Sequence, residues 1–183
     1  MVINQMNYPH VTEIIRSNFG ENPFWTSKDR DKGTALHKCI NLIAQDKLNW
    51  NTVDSQIYNK VIAFQKFLAE TGLWISRTFT EGLISKRYGF VGTPDALLLP
   101  SGNGVYTLVD WKSSIEKYVD FQLGGYLILL EEVLRIRPDI ACAVELKDTG
   151  YYNIRWVEDL KRKKRQFLHL LAVHNIKKEY GYE

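Results

Sequence analysis

Apolar residues recur at helical spacing in several stretches of the chain, and alternate or run together in the stretches between. Leu36, Cys39, Ile40 and Ile43 fall three or four apart, which predicts a helix over Lys28 to Gln45. Ile57, Val61, Phe64 and Leu68 repeat in the same way and predict a helix that begins at Asp54 or Ser55 and ends at Gly72. Ahead of both, Thr12 is expected to cap a short helix through Asn18, with Glu13 in its first turn. The intervening FGENPFW is rich in turn formers and reads as a loop.

Beyond Gly72 the period changes. Leu73 to Ile84 reads as extended, with Trp74, Ile75, Thr78, Phe79 and Thr80 supplying strand-favouring side chains. Gly92 to Ser114 reads as two apolar strands around the turn Ser101-Gly102-Asn103-Gly104. A helix is expected from about Val119 to Arg135, stopped before Pro138. Ile140 to Leu146 reads as a buried strand, and the turn KDTG leads to another, Tyr151 to Val157. A last helix is expected from about Glu158 to Tyr180. This order predicts an α/β architecture: a central mixed sheet flanked by helices, with helices at the N-terminus, in one domain over residues 1–183.

The expected hairpin contains residues that a half-buried sheet should exclude. Asp95 lies on its first strand, and Asp110 and Lys112 lie on its second. Strand side chains alternate between faces, so Asp110 and Lys112 share one. A Gly102-Asn103 loop places Asp95 opposite Asp110; an Asn103-Gly104 loop places it opposite Lys112 and diagonal to Asp110. Either register puts all three groups on one face, which also carries Leu97 and Leu108. Two ionised carboxylates this close repel, and a lysine offsets only part of the charge. Hard oxygen donors of this kind suit Mg²⁺ or Mn²⁺. The opposing account is an exposed salt bridge on a solvent face. Pro94 cannot donate to a ladder and suggests an edge or a bulge.

Bulk properties narrow the partners. The chain has 183 residues, 25% of them charged, with a net charge of +3, so any nucleic-acid contact requires a local basic patch. The only two cysteines, Cys39 and Cys142, are too few for a four-cysteine zinc or iron–sulfur site and read as buried free thiols. There is no signal-peptide run at the start and no apolar run long enough to cross a bilayer, so a soluble, cytoplasmic protein without a membrane partner is expected.

Thr93-Pro94-Asp95 followed by Asp110-Trp111-Lys112 resembles the signature of the PD-(D/E)XK nucleases. Gly33-Thr34-Ala35-Leu36-His37 is similar to the G-x-x-x-H helix of the RecB-type exonuclease branch. Phe121-Gln122-Leu123-Gly124-Gly125-Tyr126 is similar to that branch's Q-x-x-x-Y helix. Pro9 to Ile15 resembles the opening of phage and mitochondrial genome maintenance exonucleases, although His10 stands where a serine is usual. The resemblance runs from about Pro9 to Leu130.

This resemblance implies a restriction-endonuclease-like core and a metal-dependent DNA exonuclease acting in recombination, repair or replication, in a phage or mobile element. It implies Mg²⁺ or Mn²⁺ held by Asp95, Asp110, His37 and the Trp111 carbonyl, and no iron–sulfur cluster. Lys112 would orient or activate water and stabilise phosphate charge, while Gln122 and Tyr126 would position substrate and lysine. Glu81 resembles a further acid that some relatives carry, and a solvent-facing strand residue is an equally good account. Lys28, Arg30, Lys38 and Ser113 are candidate DNA contacts. Tyr8, Phe24 and Trp25 could stack on unpaired bases. The run Lys161 to Arg165 reads as a solvated helix face or as a phosphate-tracking surface. The implied partners are DNA, a second copy of the chain, or recombination and replication proteins. An endonuclease on the same fold and a catalytically silent DNA-binding module are the rival readings.

Overall fold

Asp54 and Gly72 bracket the best-marked helix of the chain, and the structure, a computed structural model, places its ends there. The structure describes residues 8–20, 27–100 and 104–182, and for residues 27–30 the backbone alone. Helix α1 is Val11–Phe19, α2 is Ser27–Ala44 and α3 is Ser55–Thr71. The Asp54 side chain accepts the Gln56 N–H at 2.8 Å, and Gly72 closes α3 in the left-handed conformation that glycine adopts without steric cost. Helix α1 is capped differently from the expectation. His10 is its N-cap and Thr12 lies within the first turn; the Glu13 carboxylate reaches back to accept the His10 N–H at 3.3 Å.

The expected extended run Leu73 to Ile84 is two strands. Strand β1, Leu73–Thr78, belongs to the main sheet; β2, Leu83–Ser85, pairs with β3, Phe90–Gly92, in a separate two-stranded ribbon. The turn after Phe79 lets its N–H donate to the Asp95 carbonyl at 3.3 Å and buries its ring. Strand β3 carries too few residues to show a period of its own. Strands β4, Ala96–Pro100, and β5, Thr107–Lys112, follow. Pro94 lies ahead of β4 rather than in it, so its missing N–H costs the ladder nothing. Helix α4, Val119–Leu129, continues as a π-helical turn, Leu130–Leu134. Strands β6, Ile140–Leu146, and β7, Tyr152–Trp156, then lead to α5, Leu160–Tyr180, whose N-cap is Asp159.

The main sheet has the order β1-β4-β5-β6-β7. Strands β5 and β6 are parallel and the other neighbours antiparallel, so the sheet is mixed, with α4 in the crossover. The architecture is therefore α/β, a mixed five-stranded sheet flanked by helices. Alternation sends Leu97, Leu108, Ala141 and Ala143 to one face, against Ile14 of α1, Leu123 and Leu127 of α4 and Phe167 of α5. It sends Ala96, Leu98, Val109, Trp111, Cys142 and Val144 to the other, against α2 and α3. The Trp111 ring meets Phe64 and Phe67 edge-on, with centroids 5.0 and 5.4 Å away. Cys142 is buried, but Cys39 is only partly so.

Gly124 and Gly125 sit inside α4, where each costs about 1 kcal/mol relative to alanine. Such a pair implies a close approach, expected from the sequence to be against the active-site sheet, but the neighbour is a helix. A Cβ at Gly124 would lie 2.5 Å from the backbone oxygen of Lys163, and one at Gly125 would lie 2.9 Å from the Phe167 ring. The pair lets α5 cross α4 at backbone contact, and the Lys163–Asp120 ion pair, at 3.0 Å, ties the two helices together beside the crossing.

Candidate active site

Strands β4 and β5 pair as Ala96↔Val109, Leu97↔Leu108 and Leu98↔Thr107. Extended by one residue, this register sets Asp95 opposite Asp110, the first of the two arrangements read from the sequence. The described pairing ends at Leu98–Thr107, and residues 101–106 connect the two strands. The centre of that connection, Ser101 to Asn103, lies outside the described residues.

Asp110 is the most enclosed charge of the group, with a side chain only 1% exposed. Its lateral neighbour on β6 is Ala143, a methyl group too small to cover it, so α4 supplies the lid. The Gln122 amide donates to Asp110 Oδ1 at 3.3 Å and to the Tyr126 hydroxyl at 2.9 Å. Residues four apart on a helix share a face, which is why one side chain bridges both. Lys112 Nζ lies 2.8 Å from Asp110 Oδ2. The contact is a short charge-assisted pair, in which the ammonium donates to one lone pair of Oδ2. The second lone pair of this buried oxygen has no partner among the described residues.

Asp95 stands where β4 begins, so it borders both layers of helices. Its Oδ2 accepts the Trp111 N–H at 2.7 Å, taking the place of a ladder carbonyl where pairing ends. Its Oδ1 faces His37 Nδ1 of α2 at 3.4 Å. In a strand the N–H and C=O of one residue leave by the same edge, so the Trp111 carbonyl is turned toward Asp95 as well. Burial pushes the Asp95 carboxyl up to about 6, with His37 and Lys112 opposing the rise and Asp110 adding to it. Burial alone would lower Lys112, but attraction to Asp110 and Asp95 outweighs it and raises the ammonium above its ordinary value. Burial and the same two carboxylates hold the Tyr126 phenol well above its usual range.

A cleft of about 510 Å³ opens beside Asp95 and His37, between α2 and the connection that follows β1. Thr34, Asn41, Thr80 and Thr93 line it with Lys38. Thr34 lies three residues before His37, and helical spacing from His37 is the signal that identifies it. A smaller hollow of about 120 Å³ lies on the far side of Lys112, bounded by Thr12, Arg16 and Glu116.

The structure thus brings Asp95, Asp110, Lys112, Gln122 and Tyr126 together with His37. Ser113 follows Lys112 and is exposed. Glu81 is exposed in the connection between β1 and β2, not on a strand. Lys28 and Arg30 lie on the first turns of α2, with side chains outside the described residues, and Phe24 and Trp25 lie outside them altogether. Tyr8 packs over Gly89 rather than standing free.

Among the described residues, no three or more His, Cys, Asp or Glu side chains gather as a ready-made metal cage. It does not conflict with Mg²⁺, which is commonly held by one or two carboxylates and keeps waters or substrate phosphates in its other positions. The open lone pair on buried Asp110 Oδ2 and the neighbouring Asp95 carboxylate fit such an ion. Among the described residues, no helix is long and apolar enough to cross a membrane.

No protein-family model matches the chain, and no curated protein sequence matches it. Among solved structures it is similar to LHK-Exo, crystallised in complex with dAMP, over 97% of this chain and 95% of that one. The two are 13% identical with a TM-score of 0.42.

Proposed function

We propose that the chain is a metal-dependent deoxyribonuclease, an exonuclease that hydrolyses phosphodiester bonds from DNA ends. The observation that carries this reading is the burial of Asp110 against Lys112, with Asp95 opposite it on the same sheet face. Two carboxylates enclosed with one ammonium leave a negative charge that Lys112 does not balance, and enclosing such a charge costs stability rather than adding to it. The motif resemblance of His37, Gln122 and Tyr126 supports action on ends.

Asp95 and Asp110, with the Trp111 carbonyl and His37, are the groups that would hold Mg²⁺ or Mn²⁺. When bound, such an ion lowers the pKa of an attacking water and acts as a Lewis acid on the phosphate. Gln122 fixes the Asp110 carboxylate in one orientation, and Tyr126 fixes Gln122. As an ammonium, Lys112 donates rather than accepts, so its part is to orient water and stabilise charge on the phosphate oxygens. The cleft beside His37 and Lys38 admits the nucleic-acid strand.

The test uses linear and covalently closed circular DNA with Mg²⁺, for wild type and Asp110→Asn. Linear DNA should vanish with circles intact, and the variant should lose activity while melting as a folded protein. Nicking of circles at a comparable rate favours an endonuclease with the same site. Wild-type turnover by Asp110→Asn, or no turnover by either protein, sinks the reading.

A further inference from the structure

A recess of about 320 Å³ opens where the end of α4, the turn after β2 and the start of α5 meet. Six basic side chains and two carboxylates line it, a surplus of four positive charges (six minus two) in a chain whose total is +3. Both carboxylates are engaged. Glu131 pairs with Lys164 at 2.6 Å, and Glu132 accepts from Ser85 Oγ at 2.6 Å and from the Arg87 N–H at 3.1 Å. Arg135, Arg137, Lys161 and Arg165 have no ion-pair partner among the described residues.

Two of these charges stand where the fold disfavours them. Lys161 lies in the first turn of α5, whose dipole is positive at that end, so a cation there opposes the helix. Arg135 adopts a left-handed conformation, φ 59°, at a helix end where glycine is the usual residue. Local stability therefore does not account for the cluster. Tyr88, Ile128 and Leu168 form an apolar floor beneath the charges.

We propose that this recess is a second contact for the phosphate backbone of DNA, remote from the candidate carboxylates. From Gln122 to Arg135 along α4 is about 20 Å at 1.5 Å per residue. That distance corresponds to about six base pairs of duplex at 3.4 Å each. A strand seated at Asp110 reaches the recess only if it continues well past the cleaved phosphate. The recess holds the body of the DNA and leaves the chemistry to the cleft. This inference rests on DNA being the substrate.

The experiment measures binding without cleavage, in an Asp110→Asn background, by fluorescence anisotropy on a duplex of about 30 base pairs over a range of salt. One variant carries Arg135→Ala, Arg137→Ala, Lys161→Ala and Arg165→Ala together; another replaces the three arginines by lysine. The alanine variant should bind at least about tenfold more weakly, and its slope of log K against log salt should flatten by about two to four units. The lysine variant should keep most of the parental slope, which separates lost charge from lost folding. Parental affinity and slope in the alanine variant overturn the proposal and leave the nuclease reading standing. Parental binding that depends on the recess, with no cleavage by the wild type, overturns the nuclease reading alone. Failure of the parent to bind DNA overturns both.

Discussion

The Gln122 amide donates to Asp110 Oδ1 at 3.3 Å while its other partner is the Tyr126 hydroxyl at 2.9 Å. One side chain thus holds the buried carboxylate in a fixed orientation. Loss of a partner that orients a metal-binding group commonly costs about 10- to 100-fold in affinity or activity. Gln122→Ala is expected to lower kcat within that range and to weaken Mn²⁺ binding measured by calorimetry. Tyr126→Phe should have the smaller effect, because it touches Asp110 only through Gln122. Wild-type kcat in Gln122→Ala would show that the carboxylate needs no such support.

Asp95 has a carboxyl raised to about 6, chiefly by burial. Its ordinary value is near 3.9 in an unfolded chain, so the folded state binds the proton more tightly. Its contribution to stability is therefore complete below about pH 4 and is lost as pH rises through about 6 in the absence of metal. The shift corresponds to roughly 2–3 kcal/mol. Asp95→Asn keeps an oxygen for the Trp111 N–H and removes the charge. In EDTA it should melt higher than wild type at pH 7.5 and gain little at pH 4. A variant that melts lower at both would assign Asp95 a stabilising role instead.

Two helical glycines should respond oppositely to alanine. At Gly124 the new methyl meets the Lys163 carbonyl, which is backbone and cannot swing away, so Gly124→Ala should cost about 1–3 kcal/mol despite better helix propensity. At Gly33 nothing among the described residues, the helix's own backbone aside, lies within 4 Å of the added Cβ. Gly33→Ala should therefore raise thermal stability, by up to about 1 kcal/mol. It lies one turn from His37, and weaker DNA binding alongside that gain would mark Gly33 as room for substrate. Denaturant melts and anisotropy read both effects.

Burial pushes the Cys142 thiol up to about 12. Below that pH the folded chain holds it as a thiol, whereas an unfolded chain ionises it near 8.5. Its contribution to stability is complete below pH 8.5 and is lost as pH rises toward 12. Native protein should leave Cys142 unalkylated at pH 8.5, with modification only on unfolding, and peptide mass spectrometry distinguishes it from the partly buried Cys39. Rapid modification of Cys142 in native protein would contradict its place in the core.

By itself the sequence determined whatever depends on local periodicity. Helices α3 and α5 and strand β6 follow from spacing, caps and apolar runs, because those signals lie within one turn or one strand of the residues they govern. Alternation placed Asp95, Asp110 and Lys112 on one face before their strands were seen to pair. The tertiary structure decided what depends on partners distant in the chain. Strand β3 exists because β2 and the backbone of Pro9 and His10 meet it, not because three residues carry a pattern. Gly124 and Gly125 imply a close approach, which the sequence reads as one to the active-site sheet; α5, some forty residues on, supplies it instead. His37 reaches Asp95 from the opposite layer of helices, a meeting possible only because Asp95 stands at the end of the ladder. The run at Lys161 to Arg165 showed charge without a surface. Only folding sets it beside Arg135 and Arg137, where more positive charge gathers than Glu131 and Glu132 offset.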